Sequence, residues 1–257
     1  VMGASTAYHL AARGETNIVL LEKEEFFGQG ATGRCAGGVR YQFATEVNIR
    51  LSQASLPMLE RFPEEIGQDV DYRKIGYLFL LTNEADIAAF ERNVALQHRL
   101  GVMTEWLDGE AIRARLPMMR LDDVLMGTFN PEDGLVDPNS VVMGYINRAQ
   151  KMGIQCFNNV EVTGITTKGG AVTGVETNQG QIEAPVVINC AGPWAGQLGA
   201  LAGVEIPITP IRRQMLTTTP LPEREKDFPF VIDSAQSRYL HRERDGLLTG
   251  MSKKKKK

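Results

Sequence analysis

The segment Val1-Met2-Gly3-Ala4-Ser5-Thr6-Ala7-Tyr8-His9-Leu10, followed by the apolar run Ile18-Val19-Leu20-Leu21 and the acidic Glu22, constrains this chain more than any other. Small residues at the start of a helix let it pack closely on a strand, and the helix N-terminus then offers free N–H groups to an anion. Gly3, Ala7, Leu10 and Ala11 fall at i, i+4, i+7 and i+8, one face of a helix expected over residues 4–13, with Gly14 placed to stop it. The run before Glu22 is apolar throughout, as a parallel strand buried on both faces requires. Gly3 stands where the third glycine of G-x-G-x-x-G belongs, and Glu22 follows 19 residues later, where an acidic side chain binds a ribose hydroxyl. The segment reads as the second half of a dinucleotide-binding βαβ unit, its first strand and first two glycines lying outside this sequence. Any βαβ protein has an Ala-rich helix before an apolar strand, so Gly3 and Glu22 carry the nucleotide reading.

At 257 residues, 43% hydrophobic and 23% charged, the chain suits one large globular domain or two smaller ones. A net charge of −3 gives no basic surface for nucleic acid. No apolar stretch approaches the roughly 18 residues that span a bilayer, so no membrane partner is expected. Cys35, Cys156 and Cys190 are odd in number and lack C-x-x-C spacing. They point to a reducing compartment, read as cytoplasmic, and to no metal site. The five lysines Lys253–Lys257 read as an end tag outside the fold.

A loop rich in glycine follows Glu22, with Gly28, Gly30, Gly33, Gly37 and Gly38 interspersed with Arg34 and Arg40. Such a loop lets backbone N–H groups crowd a ligand, and the arginines supply charge for a phosphate or carboxylate. Helices are expected over residues 45–62, 84–100, 138–152 and 195–202, with a short one opening near Asp108. Strands are expected over residues 72–81 (a bent strand or a pair), 125–129, 155–167, 171–178 and 186–189, the last as a buried strand entering Cys190-Ala191-Gly192-Pro193-Trp194. Asn130-Pro131-Glu132-Asp133-Gly134 reads as a turn, and residues 206–252 as strands and turns ending in the pair at Tyr239–His241 and Gly246–Gly250.

Four stretches in this order resemble the FAD-dependent D-amino-acid oxidase superfamily, most of all its sarcosine oxidase beta-subunit and glycine oxidase group. They are the Gly3 helix with Glu22-Lys23, the loop from Gly30 to Gly38, the meander from Val160, and Val187–Trp194; Pro207–Gln214 is also similar. The resemblance implies an α/β (overall α+β) flavoprotein with a Rossmann-like FAD domain over residues 1–72 and 138–204. Residues 73–137 and 205–252 would form a mixed or antiparallel-sheet substrate domain. Gly3, Ala4 and Ser5 would face the pyrophosphate, and Glu22 and Lys23 the adenosine ribose. Thr32, Gly33, Arg34, Cys35, Ala36, Gly37 and Gly38 would line phosphates and flavin, Val162 the adenine side, and Ala191, Gly192 and Trp194 would approach the cofactor late in the fold.

The implied reaction is oxidation of the C–N bond of a small amine or amino acid by hydride transfer to flavin, with oxygen or a redox partner as electron acceptor and a possible place in a hetero-oligomer. A carboxylate-bearing substrate calls for a partly buried arginine. Arg40 is the candidate, an ion pair or phosphate contact being its bland alternative, with Tyr239 and His241 as catalytic neighbours. His9 and His98 are expected to face solvent, and Trp106 and Met126 to pack. The competing functions are a flavin-dependent 2-hydroxy-acid dehydrogenase and a non-catalytic FAD-binding subunit. An NAD-only dehydrogenase has no use for the glycine loop.

Overall fold

A computed structural model describes residues 1–221 and 228–251; the lysine run Lys253–Lys257 lies outside the described residues. In chain order come α1 (Met2–Ala11), β1 (Val19–Leu21), β2 (Gly38–Val39), α2 (Glu46–Glu60), α3 (Phe62–Ile66), β3 (Tyr77–Leu81) and α4 (Glu84–Arg99). Next are β4 (Glu105–Leu107), α5 (Gly109–Arg115), β5 (Met126–Asn130), β6 (Gly134–Leu135), α6 (Pro138–Lys151) and β7 (Gln155–Phe157). After β8 (Val162–Lys168), β9 (Ala171–Thr177) and β10 (Gly180–Glu183), a 3-10 turn at Gly192–Trp194 leads into α7 (Ala195–Leu201). Strands β11 (Gln214–Thr217), β12 (Phe230–Asp233), β13 (Arg238–Glu243) and β14 (Gly246–Met251) complete the described chain. The architecture is mixed α/β, in line with the fold class expected from the sequence.

Two compact units divide the chain, one from Val1–Cys35, Phe62–Val70 and Asp137–Ile211, the other from Ala36–Arg61, Asp71–Val136 and Arg212 onward. Residues 36–61 therefore belong with the second unit, not with the expected nucleotide-binding half. Local pairing explains the move: Gly38 and Val39 form a ladder with Leu135 and Gly134, and α2 rests on α4. Residues 205–211 stay with the first unit because Ile206 closes over α7, where a Cβ on Gly199 would stand 2.7 Å from its side chain.

In the first unit, β1 and β7 run parallel with Leu20 opposite Cys156. Helix α1 buries Ala4, Ala7 and Ala11, and Ala7 and Ala11 share a core with Ala149 of α6 and Ile154. Alanines at these positions remove side-chain bulk, so the two helices approach closely. Gly14, at φ +94°, takes the left-handed conformation just after the helix. The stretch expected as one strand over residues 155–167 is two, because Asn159 turns left-handed at φ +56° and sends β7 to β1 and β8 to β9. Strands β8, β9 and β10 form the expected antiparallel meander.

The expected buried strand at residues 186–189 is absent: the segment pairs with no strand among the described residues, and Val186 is 71% exposed. A strand exists through hydrogen bonds to a neighbour, and an apolar run without one stays irregular.

The second unit is built on a seven-stranded sheet in the order β11-β14-β13-β12-β3-β5-β4, antiparallel except where β12 lies parallel to β3. Every residue of β3 is buried. Alternation sends Leu78 and Leu80 to one face, where they pack with Leu107, Ile112, Leu116 and Val231, and Tyr77 and Phe79 to the other, with Leu135 and Phe230. The flanking helices start on side-chain caps: Asn83 accepts from Asp86 N–H, and Asp108 from Ala111 N–H. Strand β12, Phe230–Asp233, completes the central ladder and was not anticipated as a separate element within the expected run of strands.

Leu80 sits in the middle of the leucine face. Leu80→Ala is expected to lower unfolding free energy by about 2–5 kcal/mol, the usual range for a buried leucine. Chemical denaturation of the full-length protein, followed by far-ultraviolet circular dichroism, measures this.

Candidate functional site

Within the first unit, Gly3, Glu22, Thr32 and Cys190 lie around the start of α1. The first-turn amides of that helix have no intrahelical acceptor. Gly3 lies against Leu20 and Cys190, where a Cβ would stand 3.4 Å from Cys190 Cβ, in ordinary contact with it. Ala4 is buried behind it, and Ser5 hydrogen-bonds Tyr145. The Val1 nitrogen donates to Thr32 Oγ1 at 3.1 Å, bringing the glycine loop beside the helix end.

That loop is folded tightly on itself. Gly33 N–H donates to Gly28 O at 2.8 Å, and a Cβ on Gly33 would stand 2.4 Å from that oxygen and 2.9 Å from Asn139 Oδ1. Arg34 and Cys35 are exposed, and Cys35 N–H closes the turn on Thr32 O. Glu22 follows β1, and its Oε1 accepts from Glu24 N–H at 3.1 Å, which holds the carboxylate in place. Lys23 Nζ lies 3.8 Å from the ring centroid of Trp194. Asn189 fastens the last turn by accepting from Ala191 N–H and donating to Ala195 O, while Gly192 adopts φ +53°. Val162 opens β8 opposite Thr177. Free amides, an ordered carboxylate and a loop closed tightly at Gly33 fit the pyrophosphate and ribose of a dinucleotide.

The second unit holds a cavity of about 300 Å³. Its floor is Gly38, Val39 and Arg40, with Phe43 and Tyr77 beside them. Its wall is one face of α2, where Asn48, Leu51, Ser52, Ser55 and Leu56 recur at helical spacing. Gly38 is indispensable to this shape, because a Cβ there would fall 1.6 Å from Tyr77 Oη. Gly37, at φ +69°, accepts from Val136 N–H, and Ala36 packs on the Tyr77–Phe230 cluster.

Arg40 is the charge of this cavity. Its guanidinium carbon lies 4.5 Å from the ring centroid of Phe43, 5.4 Å from Phe79 and 5.9 Å from Tyr77. Its Nε is buried without a hydrogen-bond partner. Burial draws its pKa down, partly offset by Tyr77 and Asp133, yet an arginine so placed keeps its charge. A half-buried guanidinium over aromatic faces with an unpaired Nε–H has the charge and the donor that an anion requires.

Beneath Arg40 lies a buried polar network that the sequence reading did not foresee. Asp133, fully buried, accepts from Tyr41 N–H at 2.6 Å and from Gln42 Nε2 at 3.0 Å. Gln42 Nε2 also donates to Tyr77 O at 3.0 Å, and its Oε1 accepts from Thr128 Oγ1 at 3.0 Å. Desolvation raises the Asp133 pKa to about 7 against the pull of Tyr41, Gln42 and Arg40. The turn expected at Asn130–Gly134 carries this carboxylate, with Glu132 N–H donating to Asn130 Oδ1. Lys74 Nζ ties it down, 2.6 Å from Glu132 and 2.5 Å from Glu60 at the end of α2. An interior Asp in a turn carries no signal that distinguishes it from a solvated one, and only the loop's return beside Tyr41 buries it.

Tyr239 and His241 both lie on β13 and stack on Phe230, with centroids 5.8 and 4.9 Å away, and Phe230 stacks on Tyr77 at 4.2 Å. Neither lines the cavity. His241 is 1% exposed, its Nδ1 is 2.7 Å from Arg242 O, and desolvation lowers its pKa. His98 is exposed, as expected, whereas His9 is only half-buried and touches Tyr8 and Tyr145. Among the described residues no cluster of side chains suits a metal ion, and no helix is long and apolar enough to cross a membrane.

Residues 1–256 match the family described as FAD dependent oxidoreductase, and the chain belongs to that family. It is 33% identical over 253 residues to dimethylglycine dehydrogenase, mitochondrial, of Rattus norvegicus, covering 97% of this chain and 29% of that protein. It is 32% identical over 212 residues to sarcosine oxidase subunit beta of Arthrobacter sp, covering 80% of this chain and 52% of that one. The crystal structure of L-proline dehydrogenase from P. horikoshii superposes with a TM-score of 0.90 at 31% identity, over 97% of this chain and 67% of that one. The chain thus spans less than a third of the length of the dehydrogenase it matches. The family's cofactor is FAD, which the cradle of the first unit fits.

Asp133 makes stability depend on pH. Its folded pKa, about 7, lies above the ordinary value of 3.8, so the folded state binds the proton more tightly and stability falls as pH rises between the two. The loss amounts to roughly 4 kcal/mol by the linkage relation. Denaturation curves from about pH 4 to pH 8 are expected to show this decline in the wild type and a flattened one in Asp133→Asn.

Proposed function

We propose that the full-length protein is an FAD-dependent enzyme that oxidises the C–N bond of a small, carboxylate-bearing amine, such as an N-methylated or cyclic amino acid. The first unit is the FAD-binding domain and the second the substrate domain. The observation that carries the substrate reading is Arg40, half-buried in an aromatic-lined cavity with an unpaired Nε. The names of the relatives, dimethylglycine, sarcosine and L-proline oxidoreductases, support the same substrate class.

In this reading the residues divide the work. When bound, FAD supplies the hydride acceptor. The α1 amides hold its pyrophosphate, Glu22 and Lys23 its adenosine end, and Gly33 and its neighbours keep the loop close to it. Arg40 grips the substrate carboxylate, and Phe43 and Tyr77 exclude water and present aromatic faces to the amine. Tyr239 and His241 act from behind, bracing Phe230 and through it Tyr77, instead of touching substrate. A carboxylate clamp serves a 2-hydroxy acid equally well, and the relatives' names are what favour the amine. Oxygen or a redox partner reoxidises the enzyme, and the likeness to a beta subunit favours assembly with other chains. The free thiols Cys35, Cys156 and Cys190 suit a reducing compartment.

The test is the visible spectrum of the full-length protein under anaerobic conditions. Bleaching of bound flavin by dimethylglycine, sarcosine or L-proline, but not by lactate, is the expected result; bleaching by lactate alone overturns the amine reading. Arg40→Ala is expected to raise KM by at least about thirtyfold, the lower end for losing a desolvated charge partner.

A further inference from the structure

We propose that Asp133 is a positioning residue for Arg40, its two carboxylate oxygens locking the turn that carries the guanidinium by holding the Tyr41 amide and the Gln42 side chain. The inference rests on the assignment of Arg40 to the substrate carboxylate. Its geometry is over-determined. The Tyr77 carbonyl can only accept, so the Gln42 amide nitrogen must face it, and that same nitrogen then donates to Asp133 Oδ2. Gln42 Oε1 is taken by the Thr128 hydroxyl, and the Tyr41 N–H occupies Asp133 Oδ1. Each Asp133 oxygen therefore accepts one hydrogen bond, which a carboxylate does on both sides and an asparagine amide nitrogen cannot do on either.

Nothing nearby relaxes the requirement. Gln42, Thr128 and Asp133 are at most 4% exposed, so water does not substitute for a lost partner. Arg40 is the cation that bears on Asp133. Lys74 is committed to Glu60 and Glu132, and the remaining titratable neighbours are Tyr41 and Tyr72. The residues on either side of the lock, Arg40 and Tyr77, both line the cavity. A slackened lock therefore shows first in how the cavity holds its anion.

The sign of the effect separates positioning from the alternatives. Loss of a negative charge near Arg40 would, by electrostatics alone, tighten anion binding and lower KM. Loss of the lock raises KM, and a purely structural role lowers thermal stability while leaving the KM of the folded fraction unchanged.

The experiment uses the full-length protein at about pH 8, where Asp133 is ionised. KM and kcat for dimethylglycine are measured alongside its equilibrium dissociation constant, for wild type, Asp133→Asn, Gln42→Ala, the double variant and Arg40→Ala. Each single lock variant is expected to raise KM and the dissociation constant about tenfold, with kcat changed less than about twofold. The double variant is expected to be scarcely worse than either single one, because both break the same linkage. An unchanged or lowered KM in Asp133→Asn, or fully additive losses, overturns the proposal. If Arg40→Ala alone raises KM, the carboxylate assignment stands and only the lock is wrong. If Arg40→Ala has no effect, or dimethylglycine, sarcosine and L-proline all fail to bind the wild type, the assignment itself falls and the lock with it.

Discussion

The second unit depends on one strand having no solvent face. Tyr77–Leu81 is buried throughout, and its alternation puts leucines on one side and aromatic rings on the other. The leucine side anchors the strand in the core under α5. The aromatic side is thereby fixed where Tyr77 lines the cavity, since Tyr77 cannot shift without disturbing Leu78 and Leu80. The stack from Tyr77 through Phe230 to Tyr239 and His241 extends that rigidity across neighbouring strands. Core and cavity are two faces of the same element.

The buried polar group Gln42 ties distant segments of the second unit together. Gln42 gathers the Tyr77 carbonyl, Thr128 and Asp133, and so joins β3, β5 and the turn after it to the residues following Arg40. An apolar replacement would fill this space at less cost in desolvation, but it would not fix the direction of the Arg40 backbone. The first unit reaches its own precision by subtraction. Gly33 matters for the side chain it lacks, because a Cβ there would stand 2.4 Å from the Gly28 carbonyl oxygen.

Much of this was legible from residue order. The small-residue helix α1 with Ala7 and Ala11 inward, the helix opening near Asp108, the meander after Val160 and the turn at Asn130–Gly134 all follow from local rules of periodicity, capping and turn chemistry, and the structure has each of them. Arg40 was legible as a candidate because a carboxylate-bearing substrate calls for an arginine, with an ion pair or phosphate contact as the alternative reading. The failures were non-local. Val186–Asn189 has a strand's composition but finds no pairing partner among the described residues, and residues 36–61 leave the first unit because β2 pairs with β6 almost a hundred residues on. Phe43, Gln42 and the Asn48–Ser52–Ser55 face of α2 carry no individual signature; their roles come from what folds against them.

By itself the sequence determined the small-residue helix, the acidic residue after β1, the glycine loop and the positions where chain direction must change, since each depends on backbone freedom or side-chain size within a few residues. Only the tertiary structure decided which charges are desolvated. Asp133 becomes a buried acid and Arg40 a half-buried cation because distant segments close over them, and the shifted pKa of the one and the unpaired Nε of the other follow from that burial. Burial is a property of contacts between remote parts of a chain, so no local reading of the residues contains it.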